Sequence, residues 1–542
     1  MTPQDIFNMK TTGMFFCAFL LAIAFPNSAF AYDIEQNGLF YNITDGESLT
    51  LELTRGDVPY DLSSISVPMS VTDNGRIYIV NAIADDAFAN NQALASVTLP
   101  PSLLYIGDGA FFACDHLSEV TLPDHLMSIG RWAFASCKAL QTVTIPQYTQ
   151  TIGAQAFANC TSLASAEVNS AIGTLPDGLF LNCTSLKKVV LPDIKRIGKG
   201  TFENCTSLTE IALPSTLTVI GPSAFSCCTS LGALSLPASV QRVEREAFWG
   251  CTSLHSLSVP AGVQSLGYAA FADCTSLTRA DLSALSSIGE WCFNRCTNLE
   301  EAVLPQLSSL PAALFNKCKS LKNIVIPETV RRLGYAVFAD CTSASGISYG
   351  SSLKAIGDES FYNCDAVTHT EIPETVDSIG RDAYENCSGL KTLTIPSKVN
   401  TIALNAFRDC LSLTDVYSFM LQPCTLPDLG FADATFGSAT LHVPTGKTAT
   451  YKSTAAWQKF SKIVEFDTSS LHSASVPRLS VGGRGKTVYV KNAPAGNEIT
   501  VYNIDGQTVA GCISTGDNMV LRVNNSGTYI VKAGSQSAKV VL

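Results

Sequence analysis

Charge is scarce in this chain. Only 15% of its 542 residues are Asp, Glu, Lys or Arg, and their balance is acidic, at −11. No Lys/Arg cluster interrupts that balance, which argues against a partner such as nucleic acid or an anionic membrane, both of which call for a basic face. Histidine is sparse as well. The six (His116, His125, His255, His369, His442, His472) are dispersed, with no HExxH or paired spacing. GxSxG is absent. Gly446-Lys447-Thr448 and Gly485-Lys486-Thr487 echo a phosphate loop, but the glycine required five residues earlier is Leu441 and Ser480. These gaps predict no enzyme, no cofactor and no metal site. Long apolar runs are missing too. The longest, Met14–Phe25, is about 12 residues, short of the roughly 20 that span a bilayer. With Lys10 before it and Ala29-Phe30-Ala31 after it, residues 1–31 read as a secretory signal peptide. Cys17 lies inside that run without the small neighbour that a lipid attachment site needs. The expected location is the outer surface or the extracellular space.

What the chain has in abundance is repetition. One aromatic recurs every 22 or 23 residues from Phe88 through Phe111, Phe134 and Phe157 to Tyr384 and Phe407, fifteen marks in all. Self-similarity at this period signals a solenoid, because a unit so small cannot bury its own apolar face. Each unit reads as two pieces. The first is extended, as in Leu117-Val120-Leu122-Pro123 or Leu390-Leu393-Ile395-Pro396. Apolar residues two apart share the inward face of a strand. Thr98, Thr121, Thr144 and Glu167 then point outward, and they are the candidate partner-binding positions. Proline after the strand ends its pairing.

The second piece is I-G-x-x-A-F-x-x-C. Its glycine does not mark a positive φ, because Pro176, Glu244 and Pro311 hold the same slot and proline forces φ negative. The expectation is a single helical turn, with glycine present for close approach. The three 22-residue units lose their residue between the proline position and the next Ile or Leu, as at 192–197, which places the deletion in a surface loop.

Fourteen of the nineteen cysteines form a ladder from Cys114 to Cys410, each three residues after the aromatic. One cysteine per coil lacks the close C-x₂-C pairing of metal sites. Disulfides between adjacent coils are geometrically conceivable. The expected arrangement is a row of buried free thiols filling small core positions, with Asn91 in the first such slot. Cys227, Cys292, Cys424 and Cys512 stand outside the ladder. Asn-Cys-Thr at Asn159, Asn182 and Asn204 matches a glycosylation sequon but is the turn of the repeat.

The ends differ. Residues 32–82 predict a β cap, with a hairpin around Asp45-Gly46. Residues 414–468 predict a C-terminal cap in which Tyr451, Trp457, Phe460 and Ile463 form one face of a helix. Residues 469–478 read as a linker. Residues 479–542, with alternating runs such as KTVYV and GTYIVKA, predict a small all-β sandwich.

The whole pattern, IGxxAFxxCTSLxxVxLP, resembles the BspA-type leucine-rich repeats of bacterial surface proteins, and Ile152–Leu163 and Leu266–Leu277 match it best. Val443-Pro444, Gly446, Tyr451, Trp457, Phe460 and Ile463 resemble the closing element of such proteins. Val501-Tyr502-Asn503 with Gly506, Gly527–Val531 and Lys539-Val540-Val541 resemble the type IX secretion C-terminal sorting domain of Bacteroidetes; Asn503 and Gln507 depart from its commonest residues. The resemblance implies an α/β leucine-rich-repeat solenoid of about 15 coils over residues 83–413. It also implies an adhesin-like protein binding host matrix, host cells or bacterial surface proteins, and the expected state is a monomer. The alternative is a surface glycan-capture protein. Glycan sites need exposed aromatics, for which Trp132, Trp249 and Trp291 are the candidates.

Overall fold

The computed structural model describes residues 32–467, apart from 57–59 and 428, and strands between 480 and 541. The expected signal segment and linker lie outside the described residues. The repeats wind into a rod of about seventeen turns, and each coil has three sides.

The first side carries the longer strands. In Thr142–Ile145, Val143 and Ile145 are buried while Thr142 and Thr144 are exposed. The strand pairs in parallel with Ser165–Val168, which pairs with Lys188–Val190. Proline follows and starts a tight turn. Leu126 N–H donates to Pro123 O at 3.0 Å, and Leu126 is fully buried. The 22-residue coil at 305–310 shortens this turn, so that Leu307 N–H donates to Pro305 O at 2.9 Å. The deletion thus falls in a turn whose apolar residue still packs on the core.

The second side was not anticipated. Two-residue strands such as Ser128–Ile129 stack in parallel on Tyr105–Ile106 and Thr151–Ile152. At the N-terminal end this side is continued by the hairpin of Leu39–Asp45 and Thr50–Thr54, the latter pairing in parallel with Arg76–Ile83.

The third side corrects the expected helical turn, and with it the α/β description. The residues two before and two after the aromatic are left-handed, as Trp132 (φ 54°) and Ser136 (φ 62°) are around Phe134. This alternation sends every second amide along the rod. Trp132, Phe134 and Ser136 N–H donate to Ala154, Ala156 and Ala158 of the next coil at 3.1, 2.8 and 2.7 Å. Ala135 and Cys137 N–H close turns onto Trp132 and Phe134. A helical turn would satisfy its amides within the same segment and leave the coils unjoined. Asn is common at the second left-handed slot because it tolerates that conformation. This accounts for the sequon-like Asn159, Asn182 and Asn204, whose side chains hydrogen-bond in series at 2.8 Å.

The glycine reading holds. Gly130 is not among the positive-φ residues. A Cβ there would lie 2.4 Å from Gly107 C and 2.5 Å from Asp108 N. The aromatic ladder forms the core. From Phe88 to Phe431 successive rings stack, with centroid spacings between 5.0 and 6.1 Å. Each fully buried ring contributes about 1.5–3 kcal/mol of transfer free energy.

The C-terminal end corrects a second expectation. Tyr451, Trp457, Phe460 and Ile463 do not share one helix. They fall on a short helix (Thr448–Lys452), a 3₁₀ turn (Trp457–Lys459) with the residue that ends it, and a strand (Lys462–Phe466). Ala456 at φ 66° turns the chain between the first two. Tyr451, Trp457 and Phe460 are nevertheless buried, and Phe431 packs against Trp457 and Phe460. Among the described residues, Asp433–Ser438 and Thr448–Lys452 are the only α-helices, and no helix is long and apolar enough to cross a membrane.

The last described strands form two antiparallel sheets. One joins Ser480–Arg484, Thr487–Lys491 and Met519–Arg522. The other joins Glu498–Asn503, Thr508–Ile513, Thr528–Ala533 and Gln536–Val541. Val488, Val490, Ile499, Val501 and Val531 from both sheets form one buried cluster.

Candidate partner-binding face

Strand alternation on the first side produces an outward row at one position per coil. Thr98, Thr121, Thr144 and Glu167 are all exposed and fall on it. Thr98 pairs with Ser66, Thr144 with Glu167, and Glu167 with Val190. Further along come Ser235 beside Ser258, Asp281 beside Val303, and Val325 beside Ser348. The row ends in Glu371, Thr394, Tyr417, His442 and Val464. Within each run of paired strands, parallel pairing holds these side chains in register at about 4.8 Å intervals.

The row is less uniformly polar than the sequence motif implied. Val190, Val303 and Val325 are exposed, Val325 at 50%. Near the C-terminal end the face turns aromatic. Tyr417 stacks on His442 with centroids 4.2 Å apart and planes at 9°. Phe466 meets Tyr417 and Phe419 edge-on at 5.8 and 5.2 Å. His442 Nε2 lies 2.8 Å from Asp415 Oδ1, and that hydrogen bond holds the Asp415 carboxyl below its ordinary range. Residues of the closing element were read only as cap; register alone places them on this face.

The turn side carries a different chemistry. Trp132 is 43% exposed. Its Nε1–H donates to Gln155 Oε1 at 2.6 Å, and the Arg131 guanidinium sits 5.3 Å from its ring. Trp249 and Trp291 are half-buried. Between Tyr335 and Asp409 acidic side chains accumulate. Tyr335 O–H donates to Glu359 at 2.8 Å. Burial, followed by the neighbouring Asp382 charge, pushes Glu385 up to about 7, with Arg408 opposing.

The cysteine ladder faces inward. Cys137 Sγ–H donates to Phe111 O at 3.2 Å, and the same bond recurs from Cys114 to Cys410. Burial pushes most of these thiols far above their ordinary range, Cys114 up to about 12. Protonated, buried thiols are inert toward oxidation and metals. Asn91 in the first slot accepts instead, from Ala93 and Leu94 N–H. Among the described residues no group of three or more His, Cys, Asp or Glu is placed to hold a metal.

A rod of parallel coils with almost no helix, a core of stacked rings and a regular outward row is a β-solenoid of leucine-rich-repeat type, a class built for binding. The chain belongs to the BspA type leucine-rich repeat family, whose repeat region matches residues 81–209, 195–320 and 308–422. No catalytic family is indicated. Among solved structures, a leucine-rich repeat protein from Bacteroides ovatus ATCC 8483 is 24% identical with a TM-score of 0.58, over 71% of this chain and 94% of its own. A leucine rich cell surface protein from Faecalibacterium prausnitzii A2-165 is 22% identical over 71% and 94%, with a TM-score of 0.41. The pneumococcal vaccine antigen PcpA is 18% identical over 80% and 98%, with a TM-score of 0.32. No curated protein matches the sequence.

Proposed function

We propose that this protein is exported and acts at the cell surface or outside the cell as an adhesin-like binder of host matrix, host-cell or bacterial surface proteins. The observation that carries the reading is the outward row from Thr98 to Val464. It combines a fixed backbone spacing with side chains that change from coil to coil. Such a surface suits a large partner, because rigidity removes much of the ordering cost of association. In this reading residues 1–31 are the signal peptide, 32–82 and 414–468 close a rod spanning 83–413, and 479–542 after the 469–478 linker is a sorting-domain-like unit. The rod acts as a monomer. The test is surface plasmon resonance of the full chain over immobilised matrix proteins and bacterial surface extracts. Binding to at least one, weakened tenfold or more by Thr98→Arg, Thr121→Arg, Thr144→Arg and Glu167→Arg together, is expected. Absence of binding above background to every component sinks the proposal.

A second reading, capture of a surface glycan, is favoured by the exposed Trp132 and by Tyr148, which is 53% exposed. A glycan array run beside the protein panel separates the two.

A further inference from the structure

The second side of the rod opens at one point. In most coils the residue in the glycine slot donates its N–H to the coil before it, as Gly130 does to Ile106 O and Gly153 to Ile129 O, both at 2.8 Å. Pro176 occupies the slot in the next coil and has no N–H to give Ile152. Among the described residues no backbone hydrogen bond joins Thr151–Ile152 to Thr174–Leu175. Pro311 coincides with the other break on this side, between Ser287–Ile288 and Ser309–Leu310.

The first break is the wider one. Phe157 and Phe180 stand 6.1 Å apart with planes at 25°. The rings flanking the Pro311 break, Phe293 and Phe315, are at 5.7 Å and 13°. The coils therefore splay at Pro176. The splay leaves a notch of about 450 Å³ lined by Gln150, Thr151, Ile152, Ile172, Gly173 and Thr174, with Ala171. Ile152 is half-buried, whereas its counterparts Ile106, Ile129, Leu175 and Ile197 are buried.

Ser170, beside Ala171 of the lining, is fully buried, and its Oγ makes no hydrogen bond. A buried hydroxyl left unpaired costs about 1–3 kcal/mol, a cost the fold retains here. Thr149, by contrast, donates its hydroxyl to Leu126 O at 3.0 Å.

We propose that this notch is a binding site for a neutral, hydroxyl-rich ligand, a single sugar unit of a glycan chain. It rests on the glycan-capture reading and gives it a location. No charged side chain lines the notch, so a phosphate, carboxylate or ammonium group would find no counter-charge there. Gln150, Thr151 and Thr174 offer both donors and acceptors. Ile152 and Ile172 offer an apolar floor for the C–H face of a sugar ring. The volume falls in the roughly 300–1,000 Å³ range of small-molecule sites.

The test is saturation-transfer-difference NMR on the full chain. The probes are the methyl glycosides of glucose, galactose, mannose and N-acetylglucosamine, with N-acetylglutamine methylamide as an amide control. A Cβ on Gly173 meets nothing within 4 Å, so Gly173→Leu fills the notch without a backbone clash. At least one glycoside is expected to receive saturation, and Gly173→Leu is expected to reduce it fivefold or more with an unchanged circular dichroism spectrum. Thr174→Ala removes a hydroxyl that lines the notch and should weaken the same signal, which keeps the test decisive should Gly173→Leu fail to fold. The proposal is overturned by silence from all four glycosides, by a signal that survives both variants, or by saturation of the amide alone. Array binding that survives Gly173→Leu would keep the glycan-capture reading and remove this site from it.

Discussion

Phe248→Ala tests whether the ring ladder holds the rod together coil by coil. Phe248 is fully buried and stacks on Phe225 at 5.2 Å and on Phe271 at 5.1 Å. Replacing a core Phe by Ala costs about 3–5 kcal/mol, part of which is the two stacked contacts at about 0.5–1.5 kcal/mol each. In a solenoid that loss belongs to the damaged coil and its neighbours, because each repeat touches only the next. The cysteine ladder provides a local reporter. Cys251 and Cys274 flank the lost ring and are fully buried, so they react with maleimide only when their coils open. At 1.4 kcal/mol per tenfold, the labelling rate at these two should rise roughly 100- to 4,000-fold. Cys114 and Cys387, many coils away, should label at their original rates. Peptide mapping by mass spectrometry reads all four in one experiment. A rise below tenfold at Cys251 and Cys274 would refute the ring ladder as the main source of cohesion. An equal rise at Cys114 and Cys387 would refute nearest-neighbour stability.

Three further perturbations follow from the same geometry. Gly130→Ala drives a Cβ against the Gly107 backbone and should cost about 1–3 kcal/mol in urea unfolding; Gly173→Ala, with open space, should be neutral or gain up to about 1 kcal/mol, and equal losses at both would show that close approach is not the glycine's role. Asn182, at φ 59°, should tolerate Gly, whereas Asn182→Val should lose about 1–2 kcal/mol for placing a branched side chain in the left-handed region; a Val variant as stable as the parent would contradict the turn geometry. Burial, and then the Asp382 charge, pushes Glu385 up to about 7 from the ordinary 4.5, so its native form holds the proton more tightly than the unfolded chain. Stability should therefore fall as pH rises from about 4.5 to about 7 and level off above, and Glu385→Gln should flatten that slope in a pH series of urea midpoints; an unchanged slope would assign it to another group.

The repeat made much of this fold legible. The aromatic period set the spacing of the coils, because only stacking can bury one ring per 23 residues, but its fifteen marks fell short of the rod's about seventeen turns. The apolar alternation set the inward and outward positions of the first strand. Proline at 176 and 311 in the glycine slot excluded a positive φ there. The same logic failed at the third side. Alternating left-handed residues leave almost no side-chain signature, since Trp132, Gln155, Ala336 and Glu359 all adopt the conformation. The backbone hydrogen bonds to the next coil hold them there, and no single-coil pattern contains that information. The second side escaped for a related reason. A strand of two residues is too short for period-two alternation to show. The aromatic C-terminal end of the outward row was hidden because Tyr417, His442 and Phe466 come from three separate strands, and only register brings them together.

A rod built from one repeated coil faces a constraint on function. Whatever every coil shares must serve packing, so recognition has to sit where coils differ. Two kinds of difference occur here, and they act at different scales. Substitutions along the outward row, from Thr144 to Val325 to Tyr417, change the surface without disturbing the ladder beneath, and they suit a partner long enough to span several coils. Proline in the glycine slot changes the ladder itself. At Pro311 the rod absorbs the lost rung with a coil one residue shorter, and the rings stay at 5.7 Å. At Pro176 the coil keeps its full length, the rings part to 6.1 Å, and a buried hydroxyl is left without a partner. Both prolines remove the same rung, yet the notch lies at the one where the rings part furthest, and that coincidence of a lost rung with a wider gap is the physical ground for treating the notch as a site.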